Sequence, residues 1–528
     1  MGASLAVVLP FIFWGNASGH DFEFHMNSWM EILSQWKLGV IYPGWAGLAH
    51  YGYGEARFIF YPPISWTLGA ILGVILPWPI VPAAYIWVAL TLSGCSMFLL
   101  SRVWLSRNDA IFAATFYAVN PYFLVIVYWR SAFAELLAGA LLPLLALFVW
   151  RLSRGRRALI SLSFIVAAAW LTNIPAAVMV TYSLGLLVLV IAIGMRSPGT
   201  AGRSLLAVAI GMALASFYLL PAIYEQKWIN IAQVLAPGVR PFDNFLFTYI
   251  HDADHDRFNL LVSLIAFSEI TAIAGVIVLL RKRLSRPLSS YFILWGVASV
   301  LVMFPFTSFA WKYFPEFQFV QLPWRWLLCL NAAFAMLFSL AWHRWIPRFL
   351  IYAVFLTMIA FVWHRVQQPW WDNSSDIAEM LDDQESGQGY EGTDEYVPAG
   401  TDGYDISKDA PLVTSDAPSA QVQIQRWNAQ SRRFTAEART PSTLYLRSFN
   451  YPAWRVEVNG NATPTQTRAV TGQMVIPIQA GINRVSVTFT RTWDRAVGML
   501  VSLFTAFILF LFAWRQRHIA STLGKPKP

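Results

Sequence analysis

Apolar runs long enough to cross a bilayer, about 17–25 residues, recur along this chain. They fall at 79–101, 108–128, 132–150, 175–195, 204–223, 258–280, 287–305, 324–342, 347–363 and 496–514. A shorter run, 158–172, ends at Asn173 and Pro175. Residues 1–18 form a first apolar run without a basic leader, and the spans that follow favour a transmembrane helix over a cleaved signal. That run is short, which leaves room for a start upstream of Met1. Another apolar stretch, 62–78, is bracketed by Pro62, Pro63, Pro77 and Pro79, and proline ends helices. From about residue 420 the period changes to two, in AQVQIQRW, RRFTAEAR, STLYLRSF, WRVEVNG, QMVIPI and NRVSVTFT. Gly, Pro and Asn separate these runs at the spacing of a β-sandwich. YPAWRVEVNG reads as a turn, a strand and an Asn-Gly hairpin.

Charge then orients the chain. Of 528 residues 57% are hydrophobic and 13% charged, which excludes a soluble globular enzyme. The net charge of +9 is not a nucleic-acid signal, because the basic residues sit in short loops between apolar runs. Those loops hold Arg102 and Arg107; Arg151, Arg154, Arg156 and Arg157; Arg196 and Arg203; Arg281, Lys282, Arg283 and Arg286; Arg344 and Arg348; and the tail with Arg515, Arg517, Lys525 and Lys527. The positive-inside rule places all of them in the cytoplasm. Counting spans back from the tail puts 19–78, the 129–135 turn, 224–257, 306–323 and 364–494 on the opposite face, where the acidic residues gather. The count is consistent if 62–78 stays outside as a broken or interfacial helix.

The expected fold is a mostly α polytopic membrane protein of about 12 transmembrane helices, or 13 if 62–78 crosses. A C-terminal extracytoplasmic β-sandwich precedes the last helix. The expected division is a transmembrane domain over 1–364 with external loop 19–78, an acidic irregular linker over 365–410, the sandwich over 411–494, and a final helix with basic tail over 495–528. The expected location is the inner (plasma) membrane, multi-pass, with the active face extracytoplasmic. Cys95 and Cys329 each lie inside an apolar run and imply no disulfide framework.

Four constellations carry candidate chemistry. His20-Asp21-Phe22-Glu23-Phe24-His25 pairs two carboxylates with two histidines, suited to a general base or to a divalent cation, although the spacing matches no standard zinc pattern. Arg130 and Glu135 lie at one mouth between two spans, where ionisable groups face a cavity or pair with each other. His251-Asp252-Ala253-Asp254-His255-Asp256, near Asp243, suggests metal or substrate contact, or a solvated acidic loop. Phe317–Trp326 (FQFVQLPWRW) sets Arg325 at a span entrance, suited to a lipid phosphate, with Lys312 upstream. No phosphate-binding loop or dinucleotide fingerprint is present, so a membrane enzyme here would need an activated lipid carrier as donor.

The order of these motifs, with YPGW, GYG and FIFYPP in the first loop, NPY and YWRSAFAE, then FQFVQLPWRW and YPAWRVEVNG, resembles a known family. It is that of the bacterial 6-pyruvoyl-tetrahydropterin synthase-related integral membrane proteins, which look like GT-C-type glycosyltransferases. The resemblance covers nearly the whole chain, and nothing in these residues carries pterin chemistry. It implies transfer of a sugar, with inversion, from a polyprenyl-phosphate-linked donor to an envelope glycan, lipid or protein acceptor. It also implies membrane lipid as a partner, Asp21 or Glu23 as the catalytic base, and a site for the lipid phosphate and substrate built from Arg57, Tyr61, Arg130, Glu135, Lys312, Gln321 and Arg325. A divalent metal, Mg or Mn, is a candidate cofactor, with His20, His25, His251, Asp252, Asp254 and His255 as candidate ligands. The alternatives are a transporter or flippase of lipid-linked sugars and a non-catalytic scaffold of envelope biogenesis.

Overall fold

Helices form wherever the sequence is continuously apolar. The computed structural model describes residues 1–155, 158–194, 197, 199–280, 286–341, 344–365, 370–417 and 420–523. Arg156, Arg157, Arg196, Arg281, Lys282, Arg283, Lys525 and Lys527, counted above among the basic loops, lie outside them. Among the described residues, seven helices are long and apolar enough to cross a membrane: Trp78–Ser101, Arg107–Arg130, Phe133–Ser153, Ile174–Gly194, Ala253–Val278, Pro323–Ala341 and Trp493–Arg515. Two bent pairs raise the number to nine if each is one span: Gly199–Leu214 with Ser216–Trp228, bent by 75°, and Ser290–Leu301 with Pro305–Tyr313, bent by 93°. By length and composition the described residues thus hold seven to nine of the expected 12–13 spans. Of the other apolar runs, Gly2–Trp14, Pro63–Ile75 and Leu159–Thr172 form helices of 10–17 residues, and Trp345–Arg365 forms one of 21. Prolines account for part of this, Pro10 breaking the first run and Pro305 opening the second limb of a bent pair. Pro63–Ile75 has 13 residues, a rise of about 20 Å against a hydrocarbon core of about 30 Å. The last helix leaves Leu500, Phe504, Phe507 and Phe510 exposed, an apolar surface that lipid covers.

The C-terminal region is a β-sandwich, as its period-two pattern requires. A first, isolated ribbon pairs β1 (Asn16–Ala17) with β2 (Trp371–Asp372). The sandwich strands are β3 (Val413–Ser415), β4 (Gln421–Trp427), β5 (Ser431–Ala438), β6 (Ser442–Phe449), β7 (Trp454–Val458), β8 (Asn461–Ala462), β9 (Gln466–Thr467), β10 (Gln473–Ile478) and β11 (Gly481–Phe489). One sheet has the order β3-β6-β10-β9 and the other β4-β5-β11-β7-β8, all pairs antiparallel. Alternate residues Phe434, Ala436, Leu444, Leu446, Val456, Ile476, Val485 and Val487 fill the space between them. Asn459 and Gly460, with φ of 53° and 82°, make the tight turn that joins β7 to β8, as Asn-Gly favours.

Two segments differ from expectation. The first loop holds a 16-residue helix, Phe22–Lys37, that its mixed polar and aromatic sequence did not announce. The acidic 365–410 stretch is not an irregular linker throughout. Helix Ser374–Glu385 starts with a capping box between Asn373 and Asp376 and packs on Phe22–Lys37, with Gln384 donating to the Asn27 side chain at 2.9 Å. Beyond it, Tyr390 and Thr393 reach back to the first loop.

The loop, the sandwich and the bundle share one body. Trp45, Tyr53, Ile59 and Phe60 from the first loop enter the sandwich's own apolar cluster. Glu225, at the end of helix Ser216–Glu225, receives both Nε and Nη2 of Arg495 at 2.6 and 2.7 Å and the Tyr451 hydroxyl at 2.6 Å. This buried carboxylate thereby ties a bundle helix, the sandwich and the last helix together.

Candidate active site

The site begins at Asp21, the residue preceding helix Phe22–Lys37. It holds the N-cap position but makes no side-chain capping hydrogen bond. Its carboxylate Oδ1 instead pairs with His20 Nδ1 at 2.8 Å. The backbone here is pinned to the end of helix Arg107–Arg130. That helix finishes in a π turn over Ile126–Arg130, and Ser131 follows with φ of 51°. Asp21 N–H donates to Arg130 O at 2.8 Å, and Gly19 N–H donates to Ser131 Oγ at 2.9 Å. Only glycine fits at 19, since a Cβ there would lie 2.6 Å from the Trp129 main chain. Burial pushes the Asp21 carboxyl up, but the His20 hydrogen bond and the Arg130 charge outweigh it and hold the group at about 2. Asp21 is thus an anion at every physiological pH.

Beside it, one carboxylate holds two guanidinium groups. Glu135 Oε2 takes Arg130 Nη1 at 2.6 Å and lies 3.1 Å from Arg325 Nε, the second an ion-pair contact not aligned as a hydrogen bond. Tyr122 OH donates to Glu135 Oε1 at 2.5 Å. Arg130 also lies over the Trp324 ring at 5.0 Å. Arg325 donates through Nη1 to Val320 O and to Gln321 Oε1, both at 2.9 Å, and Gln321 donates to Val234 O at 2.8 Å. Tyr61 stands against Phe24 and His25, with ring centroids 4.8 and 6.0 Å away. Its phenol is raised well above the usual range by burial and then by the Asp21 charge. The structure therefore gathers Asp21, His20, Tyr61, Arg130, Glu135, Gln321 and Arg325, which lie far apart in the chain.

Other candidates lie elsewhere. Glu23 is exposed on the first turn of the helix; two positions along a helix face different ways, which separates it from Asp21. Arg57 is 1% exposed and belongs to the core of the loop. Its Nε donates to Glu55 Oε1 at 2.5 Å and its Nη1 to Ser28 Oγ at 3.0 Å. Burial works against its charge, but the Glu55 carboxylate raises it further. Lys312 is exposed, 5.5 Å over the Tyr313 ring.

The histidine clusters do not build a metal centre. His25 is buried among Phe24, Trp29, Tyr61 and Phe133, and burial lowers its imidazole to about 4. Asp252 Oδ1 accepts from the backbone of Asp254 and His255 at 3.1 and 3.0 Å and so starts helix Ala253–Leu280. His255 bonds Asn244 and Asp256, and His251 packs edge-on to Tyr249. Among the described residues no group of three or more His, Cys, Asp or Glu is placed to hold a metal ion. The expected Mg or Mn has no ligand set in these residues.

Sequence reasoning missed the polar core of the loop. Glu31 accepts from Tyr390 OH at 2.5 Å, from Gln35 Nε2 at 3.2 Å and from Gly47 N–H. Glu55 accepts from Thr393 N–H at 2.8 Å as well as from Arg57. It also missed Tyr122 and Trp324, although both lie in motifs quoted above, and a mid-span carboxyl, Glu269, which accepts from Asn331 Nδ2 at 3.1 Å. Burial raises Glu31 from its ordinary 4.5 to about 7. The folded state therefore binds a proton that the unfolded chain has released, and this stabilisation is complete below about 4.5 and lost as pH rises through about 7. Glu55, held at about 2, does not titrate in that window, and His25 has the opposite slope, falling from 6.5 to about 4. Glu31→Gln is expected to remove the Glu31 slope alone. The variant should match the wild type in thermal unfolding at pH 5 and exceed it at pH 8; an equal offset at both pH values would refute this.

No curated protein matches this chain. Among solved structures, the apo oligosaccharyltransferase of Archaeoglobus fulgidus is similar with a TM-score of 0.36 and 13% identity, over 74% of this chain and 56% of that one. The oligosaccharyltransferase AglB from the same organism, in complex with an inhibitory peptide and a dolichol-phosphate, is similar with a TM-score of 0.36 and 12% identity, over the same shares. The chain thus corresponds to little more than half the length of those enzymes. The 6-pyruvoyl-tetrahydropterin synthase related domain, described as a membrane protein, matches residues 58–368; that stretch is more than half of the chain and includes Tyr61, Arg130, Glu135, Gln321 and Arg325, so the chain belongs to this family of membrane proteins.

Proposed function

We propose that this chain is a membrane glycosyltransferase of GT-C type. It transfers a sugar from a polyprenyl-phosphate-linked donor to an envelope glycan, lipid or protein on the extracytoplasmic face. The observation that carries this reading is the placement of Asp21. Its carboxylate sits at a helix N-cap without capping the helix, and it faces two arginines that share a single partner, Glu135. An anion beside a pair of guanidinium groups provides both halves of the chemistry. Asp21 is the acidic side, where the acceptor hydroxyl is received. Arg130 and Arg325 are the side that stabilises the departing lipid phosphate, for which the planar guanidinium is well suited. Tyr61 and Gln321 border the two. The positive-inside reading of the basic loops supports an outside placement of this site, where the donor would be a lipid-linked sugar rather than a nucleotide sugar.

The test uses the full-length protein in membranes given radiolabelled polyprenyl-phosphate hexose or pentose. The expected result is release of polyprenyl phosphate together with appearance of label in a non-carrier product. Movement of intact lipid-linked sugar across vesicles, with no release of polyprenyl phosphate from any such donor, would replace this reading with transport.

A further inference from the structure

We infer that His20, not Asp21, takes the proton of the acceptor, and that Asp21 orients and charges it. This rests on the transferase reading above. The two side chains meet at His20 Nδ1 and Asp21 Oδ1, 2.8 Å apart, and they differ in exposure: 88% for His20 and 34% for Asp21. An acceptor arriving from water meets the imidazole first. With Nδ1–H donated to the carboxylate, Nε2 is the nitrogen left with a lone pair, the arrangement that makes a histidine a general base. The pair is also rigidly placed. Gly19, His20 and Asp21 hydrogen-bond in succession to Ser131 Oγ, Trp129 O and Arg130 O at 2.9, 3.3 and 2.8 Å. The dyad is therefore fixed to the same turn that carries Arg130.

The alternative assignment gives the proton to Asp21 itself. A carboxylate held at about 2 binds a proton weakly at neutral pH, whereas a base works best with a pKa near the operating pH. His20 meets that condition. The Asp21 hydrogen bond and charge raise it above its ordinary 6.5, while the charges of Arg130 and Arg325 work the other way. In the step, the acceptor O–H bond breaks and its proton moves to His20 Nε2. The freed oxygen pair bonds to the anomeric carbon. The bond from that carbon to the phosphate oxygen breaks, and its electrons leave with the lipid phosphate beside Arg130 and Arg325. The imidazolium, steadied by Asp21, then returns its proton to water.

The experiment compares wild type, His20→Gln and His20→Ala as full-length protein, with a polyprenyl-phosphate hexose as donor and native membranes as the source of acceptor. Loss of the base is expected to lower kcat about 10²–10⁴-fold with the donor KM little changed. The wild-type rate should fall on the acid side with a midpoint above 6.5, and that limb should vanish in His20→Gln. Added imidazole should restore part of the His20→Ala rate, which a structural role of the ring would not allow. A His20→Gln enzyme with full rate and an unchanged pH profile overturns the assignment and leaves the transferase reading standing. Absence of polyprenyl phosphate release by the wild type overturns both.

Discussion

Glu135→Ala is expected to destabilise the protein by about 3–5 kcal/mol. Glu135 is 1% exposed, and the arginines that converge on it are 6% and 8% exposed. Removing the carboxylate leaves Arg130 and Arg325 facing each other with no shared anion, and it strips the Tyr122 hydroxyl of its acceptor. A buried charge without a partner is the costly state, more than the ion pair is a gain. Replacing the whole triad by Arg130→Met, Glu135→Leu and Arg325→Met should therefore recover most of the lost stability while removing the proposed phosphate site. Thermal unfolding of the detergent-solubilised full chain measures both. If Glu135→Ala melts with the wild type, the triad is not the buried electrostatic unit described here.

Asp21→Asn should do the reverse, sparing the fold and abolishing activity. The side chain caps no helix, is half-buried, and has its one side-chain hydrogen bond with an exposed histidine. Its loss should cost about 1–2 kcal/mol, less than Glu135→Ala, because the charge it gives up interacts with His20 and Arg130 in a partly solvated site. Transfer should fall by about 10³–10⁴-fold, because an amide neither carries the charge that stabilises an imidazolium nor fixes the same tautomer. Glu23→Gln, on the exposed face of the same helix, should retain most of the rate. Equal losses in both variants would show that the two carboxylates act as one group, against the separation that the helix imposes.

The sequence was most legible where physics makes residues conspicuous. Arg130, Glu135 and Arg325 stand out because ionisable groups at the ends of apolar runs have few innocuous explanations, and all three belong to one cluster. Period-two runs similarly marked every major strand of the sandwich. The choice between Asp21 and Glu23 was illegible, since it depends on a helix whose polar and aromatic residues hide its periodicity. So was the fate of Arg57: its chemistry suits a phosphate, but Glu55, two residues away, receives it once the chain turns. Least visible of all was the loop core, where Glu31 finds Tyr390 across 359 positions. No local pattern encodes such a pair, and the acidic composition around 390 argues for a linker instead. The bend at residue 215 carries no hydropathy signal either, whereas Pro305 marks the other in the sequence.

The clasp between the first loop and residues 370–393 sets an order of events during synthesis. β1 pairs with β2, Asn27 with Gln384, Glu31 with Tyr390 and Glu55 with Thr393. Until ribosome and translocon have delivered residue 393, Glu31 lacks Tyr390, Glu55 lacks Thr393 and the helix behind Asp21 lacks the cover of Ser374–Glu385. The charged loop at the beginning of the chain must wait, hydrated and unfinished, while the intervening spans enter the membrane. Its assembly therefore requires residues 370–393, and a truncated form that already holds Arg130 and Arg325 would lack the finished loop.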